Sequence, residues 1–208
     1  MNPGPGAPDR DGDPILPVAE IRDYRRINGE LIRLLDAGHP RIILAGVDRQ
    51  RLLASDLAGP WCSIIIVRGH AGPELAAGLN APGLVVVCLG DAADGAGSGM
   101  LAGRLDVRGE SSDATGYAQA GGAIRVQSAG HRAGLGMTGG ELIVLGEVGR
   151  LAGERQSGGR IVAPAGRIGP HASRGRTGGE FVRLGGGSAD PEGYRAMLDA
   201  FDRAEAGS

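Results

Sequence analysis

Short runs in which apolar residues alternate with other types recur along the middle of the chain. Each run follows a glycine: Arg104-Leu105-Asp106-Val107, Ala123-Ile124-Arg125-Val126, Glu141-Leu142-Ile143-Val144, Arg160-Ile161-Val162-Ala163 and Glu180-Phe181-Val182-Arg183. Alternation of period two predicts strands, and the shared apolar second and fourth positions predict one common core face. A further run, Leu84-Val85-Val86-Val87, aligns with these on Gly83, which places Val85 and Val87 inward and Val86 outward. The closing glycines Gly83, Gly103, Gly122, Gly140, Gly159 and Gly179 are spaced 20, 19, 18, 19 and 20 residues apart. Self-similarity at such a short period predicts a solenoid, each rung of which buries its apolar face only by stacking on its neighbours. Two earlier rungs, Arg41 to Cys62 with Ile42, Ile43 and Leu44, and Ser63 to Gly83 with Ile64, Ile65 and Ile66, bring the total to about seven. At the usual spacing between strands they stack to roughly 30 Å.

The pattern changes at both ends. Ile21, Tyr24, Ile27, Leu31, Leu34 and Leu35 recur at helical spacing, and Gly38 with Pro40 ends that run, so a helix is predicted over 18–37. Near the C-terminus Asp190 suits a helix cap and Pro191 its first position, ahead of a stripe of Tyr194, Met197, Leu198 and Phe201. The predicted organisation is a disordered tail (1–17), a capping helix (18–40), the solenoid (41–187) and a C-terminal helix and tail (188–208).

Glycine makes up 40 of the 208 residues, with no three-residue period. Recurrent β-branched runs between the glycines argue against a disordered linker. Sharp corners between closely stacked rungs need glycine, both for positive φ and for close backbone approach. The fullest turn is Gly146-Glu147-Val148-Gly149-Arg150-Leu151-Ala152-Gly153, with relatives at Gly109, Ser112, Gly116 and at Gly166, Gly169, Ser173. Three residues before the closing glycines stand Asn80, Met100, Gln119, Met137, Gln156 and Arg176. They are read as an internal ladder whose amides satisfy one another while methionine fills gaps.

Charge and reactive residues narrow the function. All 22 basic residues are arginine, which excludes a Schiff-base or phosphate-loop lysine. A net charge of −2 argues against a nucleic-acid footprint. No segment has the length and apolarity of a membrane span or a signal peptide, and a cytoplasmic location is expected. Cys62 and Cys88 lie in strand-like runs and read as buried free thiols. Gly95-Ala96-Gly97-Ser98-Gly99 follows a strand, but Met100 stands where a dinucleotide loop needs its third glycine, so it reads as a repeat turn. His39, His70, His131 and His171 do not align into one site, and no Cys/His spacing suggests a metal. Asp91, Asp94, Glu110 and Asp113 fall on adjacent turns, where a polysaccharide-cleaving β-helix places carboxylates around Ca²⁺; a solvated turn face is the simpler reading. No catalytic, cofactor-binding or metal-binding residue is assigned. The outward third position carries Val86, Ile143, Val162 and Val182, an apolar stripe on a face that would otherwise be polar. Either a terminal helix or a partner covers it.

The rung residues resemble the GXGXG domain, the C-terminal right-handed β-helix of the glutamate synthase large subunit. The nearest passage is Gly136-Met137-Thr138-Gly139-Gly140-Glu141-Leu142-Ile143-Val144-Leu145-Gly146-Glu147-Val148-Gly149. Arg26-Ile27-Asn28 resembles the opening segment of that domain, and Gln50 sits where it often has a Gly-Gln pair, with Arg49 in place of the glycine. The resemblance runs from about Arg22 to Leu184, and the later rungs depart from it at Arg155-Gln156 and Arg174-Gly175-Arg176. It implies an all-β fold, a right-handed parallel β-helix with helical ends. It also implies a free-standing, non-catalytic subunit of a glutamate synthase-like amidotransferase/oxidoreductase complex. The glutaminase-type amidotransferase would then be one partner, and an FMN-binding synthase with an iron–sulfur cluster another. The same fold serves as one component of formylmethanofuran dehydrogenase-like complexes, the alternative within this class. A carbohydrate-active β-helix enzyme is the alternative of another class.

Overall fold

A computed structural model of the chain describes residues 12–185 and residue 199. It is a parallel β-helix of about seven turns. In chain order the elements are β1 (Ile15–Pro17), α1 (Tyr24–Asp36), β2 (Arg41–Asp48), β3 (Ile64–His70), β4 (Asn80–Cys88) and β5 (Ala102–Ser111). They continue with β6 (Ala123–Ala129), β7 (Glu141–Val144), β8 (Arg160–Pro164), a short 3-10 turn (Ala165–Arg167) and β9 (Glu180–Leu184). The nine strands among the described residues form one sheet in sequential order, and every pairing is parallel.

The expected register holds from β5 onward: Arg104, Ala123, Glu141, Arg160 and Glu180 are aligned partners. Leu105, Ile124, Leu142 and Ile161 pack inward beside Val107, Val126, Val144 and Ala163, all buried in one core. In β4 the register differs from expectation by one residue. Val85 pairs with Arg104 and Val86 with Leu105, so Val86 is fully buried in the core and Val87 takes the outward position. The corner between Asn80 and Val85 carries extra residues, and Leu84 turns into the core as a bulge. A one-residue slip reverses which face every side chain takes. Counting from Gly83 therefore assigned the wrong face.

The turns explain the glycine pattern more sharply than the corners do. Gly95, Gly97 and Gly99 have φ of 73, 68 and 63°, so residues of positive φ recur at every second position through the turn. The same three positions recur as Ala114, Gly116 and Ala118, as Arg132, Gly134 and Gly136, and as Leu151, Gly153 and Arg155. Backbone N–H groups of the first and third positions donate to the following rung, as in Gly95 N to Asp113 O (2.9 Å) and Gly99 N to Tyr117 O (2.7 Å). The middle N–H donates to the preceding rung, as in Gly97 N to Leu75 O (2.8 Å). A G-x-G-x-G spelling is thus the low-strain sequence for a turn hydrogen-bonded to both neighbours.

The rung glycines meet two demands, and at Gly140 both fall on one residue. Gly103, Gly122, Gly140, Gly153, Gly159 and Gly179 have positive φ, whereas Gly83, Gly146 and Gly149 do not. In the second group glycine answers close approach: a Cβ on Gly149 would lie 2.6 Å from the Gly130 carbonyl, and one on Gly83 would lie 2.6 Å from Trp61 O.

The N-terminal end is capped. Asp23 accepts from Arg25 N (3.0 Å) to start α1, and Gly38 at φ 79° follows its end. Ile27, Leu31, Leu34 and Leu35 pack into the solenoid core. The tail expected over residues 1–17 is corrected at its end, because Ile15–Pro17 pairs with Ile43–Ala45 as the first strand. The helix begins at Tyr24 rather than Val18, since the preceding residues follow that strand. The predicted C-terminal helix, with Asp190, Pro191, Tyr194, Met197, Leu198 and Phe201, lies outside the described residues.

Candidate functional site

Two surfaces carry the chemistry that the sequence singles out. The first is the turn edge, where stacked rungs form an open groove of about 940 Å³. Its floor is small: Ala71, Ala92, Ser111 and Ala129 bridge in parallel down the stack, followed by Val148 and Ile168. His70, Asp91, Glu110 and Glu147 line it together with Arg49 and Arg167.

The side chains here serve the rung below. Asp91 N donates to His70 Nδ1 (3.1 Å), and Glu110 N to Asp91 Oδ1 (2.9 Å). A second column runs parallel to it: Asp113 N donates to Asp94 Oδ1 (3.1 Å), His131 N to Asp113 Oδ1 (2.7 Å) and Arg150 N to His131 Nδ1 (3.1 Å). The carboxylates expected on adjacent turns are therefore present on adjacent turns, but three of the four accept backbone N–H groups of the next rung. Among the described residues no group of three or more His, Cys, Asp and Glu is placed to hold a metal ion. His131 accepts from Arg150 N on the next rung, in a column separate from that of His70.

The second surface is the outward third position of the sheet. Down the stack it reads Ile43, Ile66, Val87, Asp106, Arg125, Ile143, Val162 and Val182. Val86, assigned to this stripe from the sequence, belongs to the core for the register reason given above. Ile143 and Val162 do point outward, yet both are 0% exposed in the single chain and form their own cluster with Ala123, Leu145, Val182 and Leu184. The chain itself closes off this part of the stripe, and only Val182 keeps partial access. Ile143 and Val162 are therefore not an open docking face.

In the middle of the stripe lies an ion pair that the alternation pattern did not announce. Arg125 donates bidentately to Asp106, Nε to Oδ1 and Nη2 to Oδ2, both at 2.8 Å. Arg108 Nε approaches Asp106 Oδ2 at 2.6 Å. Asp106 is 1% exposed, so this carboxylate needs the guanidinium beside it. Its one signal in the sequence is opposite charges at equivalent positions of consecutive rungs.

The polar column inside the solenoid behaves differently from a ladder of stacked amides. Down the stack it reads Leu79, Met100, Gln119, Met137, Gln156 and Arg176, with Asn80 excluded by the longer β4 corner. Gln119 Nε2 donates to Gly121 O (3.0 Å), Gly122 O (3.2 Å) and Glu141 O (3.1 Å). Gln156 repeats this with Gly158, Gly159 and Glu180, and Arg176 Nη1 donates to Gly179 O (2.8 Å). Methionine separates the two glutamines, so they serve corner carbonyls rather than each other.

Asn28 and Gln50 gain roles that spacing alone does not give. Asn28 Nδ2 donates to Leu52 O (2.9 Å), and its Oδ1 accepts from Ala54 N (3.0 Å). Gln50 Oε1 accepts from Asp48 N (2.6 Å) while its Nε2 donates to Val18 O (2.9 Å). Arg49, in place of the expected glycine, takes a left-handed conformation at φ 59°. The cysteines divide: Cys88 is buried in the core, where burial pushes its thiol up from the ordinary value, whereas Cys62 is exposed at a corner outside any strand.

This geometry defines a parallel β-solenoid whose polar side chains are spent mainly on its own backbone. No family model matches the chain, and no curated protein matches it either. Among the described residues no helix is long and apolar enough to cross a membrane.

Proposed function

We propose that the chain is a non-catalytic structural subunit of a glutamate synthase-like amidotransferase/oxidoreductase complex. Its partners would be a glutaminase-type subunit that releases ammonia from glutamine and a synthase subunit that holds FMN and an iron–sulfur cluster. The observation that carries this reading is the turn geometry. Left-handed residues at alternate positions of every turn match the glycine spacing of the domain that the chain resembles, and Asn28 of the shared opening segment seats the cap on the first turn. A rigid rod that spends its side chains on holding rungs together suits a prop between catalytic domains.

The test is purification of a tagged chain from its native cells. Stoichiometric flavoprotein with glutaminase activity in the same complex is expected, together with loss of glutamine-dependent but not ammonia-dependent synthesis when the chain is omitted. Purification with a molybdenum-containing oxidoreductase would instead select the formylmethanofuran dehydrogenase-like reading. The carbohydrate-active reading draws on the acidic turn edge, but Asp91 in the groove and Asp113 in the parallel column each accept a backbone N–H of the next rung. Depolymerisation of an acidic polysaccharide by the purified chain would reinstate it.

A further inference from the structure

The two ends of the solenoid are finished differently. In the later turns the middle left-handed residue gives its N–H to the preceding rung, as Ala76 does to Leu53 O and Gly97 to Leu75 O. The first turn has no preceding rung, and Asn28 Oδ1 takes the Ala54 N–H in its place. Nothing equivalent closes the last rung among the described residues. Glu180 N donates back to Gly159 O. In a parallel strand alternate residues turn both backbone groups toward the same neighbour, so those of Phe181 and Arg183 face away from β8. The last turn repeats the asymmetry. Leu151 and Arg155 donate forward to Pro170 O and Arg174 O, whereas their counterparts His171 and Gly175 have no following rung among the described residues. Ile168, Ala172 and Phe181 belong to inward columns but are partly exposed here.

This end is also basic. Residues 165–184 carry Arg167, Arg174, Arg176 and Arg183 against one carboxylate, Glu180, which pairs with Arg160 at 3.5 Å. Arg183 lies in an inward column, with its guanidinium 5.1 Å from the centre of the Phe181 ring. An inward charge on an edge strand discourages neutral strands, and like charges oppose a second copy bringing the same arginines. The chain's own residues 186–208 contain no Val, Ile or Thr, the β-branched types that favour strands.

We propose that this end, which no further rung covers among the described residues, accepts an extended acidic segment of a partner protein as one further rung. The segment pairs with the outward backbone groups of Phe181 and Arg183 and sets its carboxylates against Arg174, Arg176 and Arg183. The proposal stands apart from the complex proposed above, and its failure would leave that reading untouched.

The test uses the full chain and three labelled hexapeptides, read by fluorescence anisotropy. The probes are alternating Glu-Val, alternating Lys-Val, and the Glu-Val peptide N-methylated at alternate residues to block strand pairing from the peptide side. Saturable, salt-sensitive binding of the plain Glu-Val peptide alone is expected. Arg183→Pro removes one outward N–H without touching the β8 ladder, which an edge strand tolerates. It should weaken binding about tenfold beyond Arg183→Ala, a difference of about 1.4 kcal/mol. Equal binding of the N-methylated peptide or of the Lys-Val peptide overturns the proposal, and this arm does not depend on how the variants fold. A chain that binds no peptide also overturns it. A dimer that Arg183→Pro converts to monomer overturns it in favour of a second copy.

Discussion

Gly140 and Gly136 offer a paired measurement of what a corner glycine contributes. Both have positive φ, 74° and 64°, so alanine at either incurs the same kind of backbone strain. Their surroundings differ. A Cβ on Gly136 meets nothing within 4 Å, whereas one on Gly140 would lie 2.6 Å from both Gly122 O and Gln119 Nε2 and 2.7 Å from Gly121 C. Left-handed strain costs a non-glycine residue about 1–2 kcal/mol, partly offset by about 0.4–1 kcal/mol from a less flexible unfolded chain. Gly136→Ala should therefore cost about 1 kcal/mol. Gly140→Ala adds overlap with the backbone of the neighbouring rung, which sits inside a hydrogen-bonded ladder and yields only if the rungs separate. Overpacking of that kind costs about 1–3 kcal/mol. The expected gap between the two variants is about 2 kcal/mol, or about 4–8 °C in Tm for a chain of this size. Gly140→Val widens it further. Thermal and urea unfolding followed by circular dichroism read the gap. If Gly140→Ala and Gly136→Ala melt within a degree or two of each other, rung separation at this corner is not set by close approach, and the account of the closing glycines is wrong.

Asp106→Ala removes the bidentate acceptor of buried Arg125 and should cost about 3–5 kcal/mol, whereas Asp106→Val with Arg125→Val, which continues the apolar stripe, should recover most of it; a double-mutant cycle in urea checks both. Ile143→Glu should destabilise the isolated chain by several kcal/mol because Ile143 is closed off from solvent within it, and unchanged melting would show that the stripe is open. An aromatic disulfide reagent should modify Cys62 alone in the native protein and Cys88 only in denaturant. Burial raises the Cys88 thiol pKa, so less thiolate is present at any given pH, and moderate alkaline pH should not bring Cys88 into reaction; two fast-reacting thiols in native protein would contradict its burial.

The sequence by itself determined the architecture. Alternating runs restarted by glycine every 18 to 20 residues leave stacked parallel rungs as the arrangement that buries each apolar face, and the register from Arg104 to Glu180 is readable without coordinates. Helical spacing likewise placed α1, and the misaligned histidines already argued against a shared site. The tertiary structure decided what depends on inserted residues or on neighbours distant in sequence. The longer β4 corner shifted Val86 from the outer face to the core, because side-chain orientation in a strand has period two and alignment on Gly83 cannot register an insertion after it. The glutamines went to corner carbonyls because a methionine rung separates them, and Asp91, Asp94 and Asp113 went to N–H groups one rung on. Burial of Ile143 and Val162, and the contrast between an end closed by Asn28 and an end that nothing equivalent closes among the described residues, are decided by what stands next to a rung in space. A repeat pattern states what each rung is, while its neighbours settle which polar groups are left to serve a partner.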